Sequence, residues 1–169
     1  MKHYKLISRL TLITFFSLIS SMVYSEESSS KFNFYLGTFD FSDKGKRSSL
    51  VGFQHHNEDL NRVTFIGNLS PITGAMMTGD SAAYIYTGVQ AEYKLGKINV
   101  IPSFAPGLYS KGDGKKLGHI IEFKSELQIS LDFNGDSQFG ISYSHLSNAG
   151  LGSRNPGANS YMFNFFKTF

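Results

Sequence analysis

From residue 31 onward, apolar and polar side chains alternate with a period of two, and no stripe at helical spacing competes with this pattern. Between residues 83 and 95, Ala83, Ile85, Val89, Ala91, Tyr93 and Leu95 alternate with Tyr84, Tyr86, Gln90, Glu92 and Lys94. Between residues 120 and 133, Ile121, Phe123, Leu127, Ile129 and Leu131 oppose Glu122, Lys124, Glu126, Gln128 and Asp132. Weaker alternation at 32–37, 48–55, 62–70, 98–109, 139–148 and 159–169 brings the expected number of strands to eight.

A soluble sandwich alternates too, so three further features narrow the reading to a membrane barrel. Most strands are long, about 8 to 14 residues, near what a tilted strand needs to cross hydrocarbon. The connections alternate between short ones (56–61, Gly96, and the turn Phe133-Asn134-Gly135) and longer ones rich in glycine and charge (40–47, 73–81, 111–118 and 148–158). The chain ends on Phe169, with Tyr161, Phe163 and Phe165 on the same face. That pattern resembles the carboxy-terminal signal read by the outer-membrane barrel assembly machinery, an expected partner. The expectation is an all-β, eight-stranded antiparallel transmembrane β-barrel in the outer membrane of a Gram-negative cell. A soluble lipocalin-like barrel is the alternative, and it would turn the apolar face inward around a ligand. Pro102 and Pro106 each remove a ladder donor from the fifth strand, so a bulge or break is expected there.

Residues 1–25 are built like a signal peptide: Lys2, Lys5 and Arg9 precede an apolar core, and Val23-Tyr24-Ser25 ends on a small residue. Those three cations account for the whole formal charge of +3, so the domain expected at 26–169 is neutral and its composition gives no reason to expect nucleic acid as a partner. The chain has no cysteine, hence neither a disulfide framework nor thiol chemistry. An eight-stranded barrel encloses side chains and no open channel. The inward set Glu92, Lys94, Glu122, Lys124 and Glu126 is expected to form an internal charge network.

One outward face breaks the rule. With both termini periplasmic, the seventh strand finishes at the cell surface, where His145 and Ser147 share the lipid-facing parity of Phe139, Ile141 and Tyr143. Uncompensated polar groups are costly there, and an imidazole two residues from a hydroxyl reads as a base and a nucleophile awaiting a third group. A three-residue loop at 133–135, with Gly135 at positive φ, would pair His145 with Phe123 and Ser147 with Ile121. No cofactor and no metal are expected: the adjacent His55 and His56 point to opposite faces of a strand.

The segment YSHLSNAGLGSRNPGANSY, residues 143–161, resembles the signature of the PagL-type lipid A 3-O-deacylases, also called acyloxyacyl hydrolases. The resemblance implies an outer-membrane barrel that hydrolyses the ester-linked acyl chain at the 3-position of lipid A, without a metal. Carried over residue by residue, His145 matches the family's base and Ser147 its nucleophile. Asn148 and the backbone around Gly150 match the oxyanion region, with Asn155 as a helper. The family's third member is a glutamate, and here Asn159 stands at that position. Lipid A phosphates would lie at the height of the long loops, where Arg154, Lys115 and Lys116 could position them. The expected partners are therefore lipopolysaccharide and outer-membrane lipids; the sequence leaves open a homodimer of barrels. Two alternatives follow from the same residues: a noncatalytic structural or lipid-binding barrel that keeps the family shape, and an acyltransferase.

Overall fold

The computed structural model describes residues 30–57 and 60–169; the expected signal peptide at 1–25 lies outside them. The described residues form β1 (Ser30–Phe39), β2 (Ser48–Asn57), β3 (Arg62–Thr64), β4 (Gly67–Thr78), β5 (Ala83–Ala91), β6 (Tyr93–Leu95), β7 (Ile98–Ser110), β8 (Ile121–Asn134), β9 (Ser137–Ser147) and β10 (Ala158–Thr168). All neighbours pair antiparallel, and the additional β2–β4 pairing closes the sheet on itself. Because β6 continues β5 along β7, and β3 folds back on β4 as a small hairpin, the closed barrel has eight staves.

Side-chain parity decides which solvent the barrel belongs in. Leu36, Val51, Ile85, Leu108, Ile141 and Phe163 stand outward, each about 60 % exposed (63, 60, 64, 59, 59 and 67 %). An apolar belt of that extent does not persist in water, so its solvent is the hydrocarbon of a membrane. The arrangement inverts that of a lipocalin. The interior is closed by tyrosines lying over glycines: a Cβ on Gly52 would come within 2.4 Å of the Tyr35 ring, and one on Gly74 within 2.5 Å of the Tyr86 hydroxyl. Small residues on one stave thereby admit large ones from another, and these side chains fill the interior.

Four local expectations need correction. The third strand is not 62–70 but Gly67–Thr78, and residues 73–77 are paired on both sides instead of looping. Its inward positions include Ile72, Gly74 and Met76, so the tyrosine-over-glycine packing erases the polar-in, apolar-out code. The two prolines cause no register shift; pairing lapses on the β5 side only, at Thr87 and Gly88 and again at Ala91 and Glu92. Pro102 and Pro106 have the same parity, so both missing donors fall on that side. The expected charge network is partial. Lys124 pairs with Glu126 at 2.7 Å and Lys31 with Glu92 at 3.0 Å, but the exposed Lys94 pairs with Asp132, which is not one of the five, and both Glu122 oxygens are buried without a partner.

The fourth correction concerns register. β8 and β9 turn through Gly135-Asp136, with Asn134 paired to Ser137, and Phe133 is the extra residue of a bulge. Gly135 does not take positive φ. Phe133 restores the parity that a two-residue turn alone would mix, but the partners move by two residues: His145 lies opposite Ser125, and Ser147 opposite Phe123.

Candidate active site

The site is assembled at the end of the barrel that carries the longer loops, on its lipid-facing side. Three adjacent strands supply a row across the sheet, Ser125 of β8, His145 of β9 and Asn159 of β10, each directly opposite the next. His145 Nδ1–H donates to Asn159 Oδ1 at 2.8 Å. Since that carboxamide oxygen can only accept, the ring donates from Nδ1, which in the neutral imidazole leaves the lone pair on Nε2. Tyr143, two residues before His145, donates its hydroxyl to the same oxygen at 2.8 Å. The Asn159 Nδ2 group donates to Ser42 Oγ at 3.2 Å.

Ser42 reaches Asn159 because the loop at 40–47 folds back over β10. Asp40 has φ 50°, a left-handed conformation that Asp tolerates better than most residues, and it turns the chain out of β1. Phe41 N–H then donates to the Asn159 carbonyl at 3.0 Å, and the Phe41 ring settles 4.3 Å from that of Tyr161. On the other side, Gly157 leaves room for the imidazole. A Cβ there would stand 2.8 Å from His145 Cε1, and its φ of +62° disfavours other residues in any case.

Below this polar row, toward the membrane centre, a furrow of about 340 Å³ opens to lipid between β8, β9 and β10. Leu127, Ile129, Ile141 and Phe163 line it, and Tyr143 and Tyr161 wall its upper end. An ester carbonyl held at His145 would let an acyl chain run down the furrow, apolar against apolar.

Among the residues singled out from the sequence, His145 and Asn159 are in contact, and Ser147 is on the same face two positions on, without a hydrogen bond to the imidazole. Such contacts often tighten only once substrate is bound. Asn148 is fully buried and faces the interior. Its Nδ2 donates to the carbonyls of Leu117 and Arg154 at 2.9 and 2.8 Å, and its Oδ1 accepts from Gly150 N–H at 3.0 Å. Asn155 Oδ1 in turn accepts from Asn148 N–H. These three residues hold the β9–β10 loop together, so the Asn148 side chain is not free to meet a substrate. Lys115 is drawn into ion pairs with Asp40 at 2.6 Å and Asp43 at 3.7 Å, whereas Lys116 and Arg154 remain exposed.

Ser42, Ser125, Tyr143 and Gly157 were not singled out as site residues from the sequence. Ser125 left a trace there, as the polar gap in the outward series Phe123, Leu127, Ile129 of β8. Ser42 left none, because it comes from a loop 117 residues away from Asn159.

The family model described as "Lipid A 3-O-deacylase (PagL)" matches residues 51–168. The chain belongs to this family. A crystal structure of the outer membrane enzyme PagL superposes with a TM-score of 0.61 at 18 % identity, covering 81 % of this chain and 98 % of that one. A de novo designed transmembrane β-barrel follows with a TM-score of 0.55 at 8 % identity, covering 86 % and 98 %. The Yersinia pestis outer membrane protein Ail gives 0.50 at 10 % identity, covering 85 % and 100 %. At these identities the superpositions establish the PagL-like barrel and nothing finer. No curated protein matches the chain. As a PagL-family barrel it is assigned to the lipid A deacylases of the outer membrane.

Proposed function

We propose that this PagL-family barrel hydrolyses the 3-O-linked acyl ester of lipid A from the outer leaflet, with Ser147 as nucleophile and His145 as base. The observation that carries the reading is the His145 Nδ1–H to Asn159 Oδ1 hydrogen bond, which leaves Nε2 basic on a lipid-facing rim above an apolar furrow. Ser147 Oγ attacks the acyl carbonyl and its proton passes to His145 Nε2. The tetrahedral intermediate expels the sugar oxygen, which takes that proton. Water, deprotonated by the same nitrogen, then cleaves the acyl-serine, so the products are a free fatty acid and a lipid A one chain poorer. The Ala149 N–H and the Asn155 Nδ2 are not among the donors that hold the β9–β10 loop, and they are the candidate oxyanion donors beside Gly150. Exposed Arg154 and Lys116 would meet the glycolipid phosphates, while Lys115 acts through Asp40.

Asn159 can orient the imidazole but cannot offset the charge of the imidazolium. Replacement of the acid in a serine triad costs on the order of 10⁴ in rate when the amide also selects the wrong tautomer. In this site the amide oxygen faces the ring, which supports a working enzyme slower than one with a carboxylate. The test is fatty-acid release from purified lipopolysaccharide by the folded barrel. Release should vanish in Ser147→Ala, persist in Ser125→Ala and rise in Asn159→Glu. A second reading, a noncatalytic barrel of the same shape, is favoured by the Asn159 departure alone. It predicts that no variant releases acid and that Ser147→Ala alters nothing.

A further inference from the structure

The Asn159 carboxamide has two orientations about its terminal bond, and they give His145 opposite chemistry. With Oδ1 on the ring, Nδ1 carries the hydrogen and Nε2 is the base; with Nδ2 on the ring, Nδ1 must accept and Nε2 is protonated. Tyr143 does not choose between them, since its hydroxyl can donate to Oδ1 or accept from Nδ2. Ser42 does choose. In the flipped orientation its hydroxyl would have to donate to Asn159, whereas here it accepts from Nδ2 at 3.2 Å. The Ser42 hydrogen is directed instead to Asp40 Oδ1, a long contact of 3.4 Å to a group that can only accept. Asp40 is fully buried and held by Lys115 at 2.6 Å, so the acceptor stays in place.

We propose that Ser42, through its contacts with the Asp40 carboxylate and the Asn159 amide, is a positioning residue that locks the amide with its oxygen toward His145. The loop at 40–47 thereby lets a neutral side chain set the tautomer that a carboxylate would set by its symmetry. A glutamate at 159 needs no such lock, because both of its oxygens accept. The proposal rests on the esterase reading for its consequence in rate, but not for its structural content.

Two measurements separate these. The first is ¹⁵N NMR of the imidazoles in the folded protein in detergent, with the His145 signal assigned by its loss in His145→Gln. Wild type should carry the hydrogen on Nδ1, and Ser42→Ala should raise the Nε2–H population about 10-fold. An Nε2–H wild type, or a Ser42→Ala spectrum identical to wild type, overturns the proposal whether or not any lipid is hydrolysed. The second is a double-mutant cycle on fatty-acid release from lipopolysaccharide. Ser42→Ala should lower kcat about 10-fold with KM within about 2-fold, and Ser42→Thr, which keeps the hydroxyl, should restore it. On the Asn159→Glu background the same Ser42→Ala change should alter kcat by less than about 2-fold. An equal loss on both backgrounds would mean that Ser42 only supports the loop, and would overturn the proposal. Absence of release from every variant would count against the esterase reading, and the NMR result would still decide the role of Ser42.

Discussion

Gly157→Ala tests how tightly the imidazole is held. The new Cβ would stand 2.8 Å from His145 Cε1 and 3.3 Å from Nε2. Favourable carbon–carbon contact begins near 3.5 Å, so the ring must retreat by roughly 0.7 Å. Directed away from Gly157, that shift would stretch or break the 2.8 Å bond to Asn159 and move Nε2 from the position it now holds. A misplacement of about 1 Å costs on the order of 10² in rate, so kcat should fall about 30- to 100-fold. The backbone adds its own penalty, about 1–2 kcal/mol for an alanine at positive φ. Gly96→Ala is the control: its φ of +66° matches the +62° of Gly157, but nothing lies within 4 Å of the added carbon. Both variants should therefore show the backbone penalty in the urea midpoint of the folded barrel, Gly157→Ala losing more by the displacement of the ring, and only Gly157→Ala should lose fatty-acid release. If Gly157→Ala folds and retains activity within about 3-fold of Gly96→Ala, the imidazole is not fixed by this contact, and the inferred precision of the site is refuted.

The remaining expectations concern the same rim and the barrel that carries it. Tyr143→Phe deletes one of the two donors to Asn159 Oδ1 and should lower release about 2- to 10-fold while leaving the gel mobility of the folded barrel unchanged. Lys124→Met strands Glu126 in the lumen and should cost about 3–5 kcal/mol in urea unfolding, whereas Lys124→Met with Glu126→Gln should recover most of it. At the opposite turn, the hydrogen bond from Lys167, helped by that from Ser137, holds the Asp136 carboxyl below its ordinary range. Its contribution is therefore present above the ordinary carboxylate pKa and is lost as pH falls toward the lowered folded value; Lys167→Ala should move the Asp136 titration upward in a ¹³C NMR experiment.

Much of this protein is legible in its sequence. Period-two alternation fixed the class, because strands are the only element in which every second side chain shares a face, and an outward apolar parity over eight staves requires lipid. Parity alone also put His145 and Ser147 on one face, and it survived a register error of two residues because side chains repeat every two. Where parity was unreliable, so was the reading. In β4 the inward glycines and apolar residues packed under tyrosines hid the strand, and the lumen charges paired by height along the barrel, which a strand pattern does not encode.

The sequence by itself determined the barrel and the His145/Ser147 pair, since both are written in local spacing, and it pointed to the family through the resemblance carried by residues 143–161. The tertiary structure alone decided which groups surround the imidazole. Cross-strand pairing set Ser125 and Asn159 on either side of His145, Gly157 made room for the ring, and a loop from the first hairpin brought Ser42 to the amide. The physical reason is that hydrogen-bond partners are chosen by where closure of the sheet leaves them, and closure joins residues whose separation in the chain carries no signal of their contact.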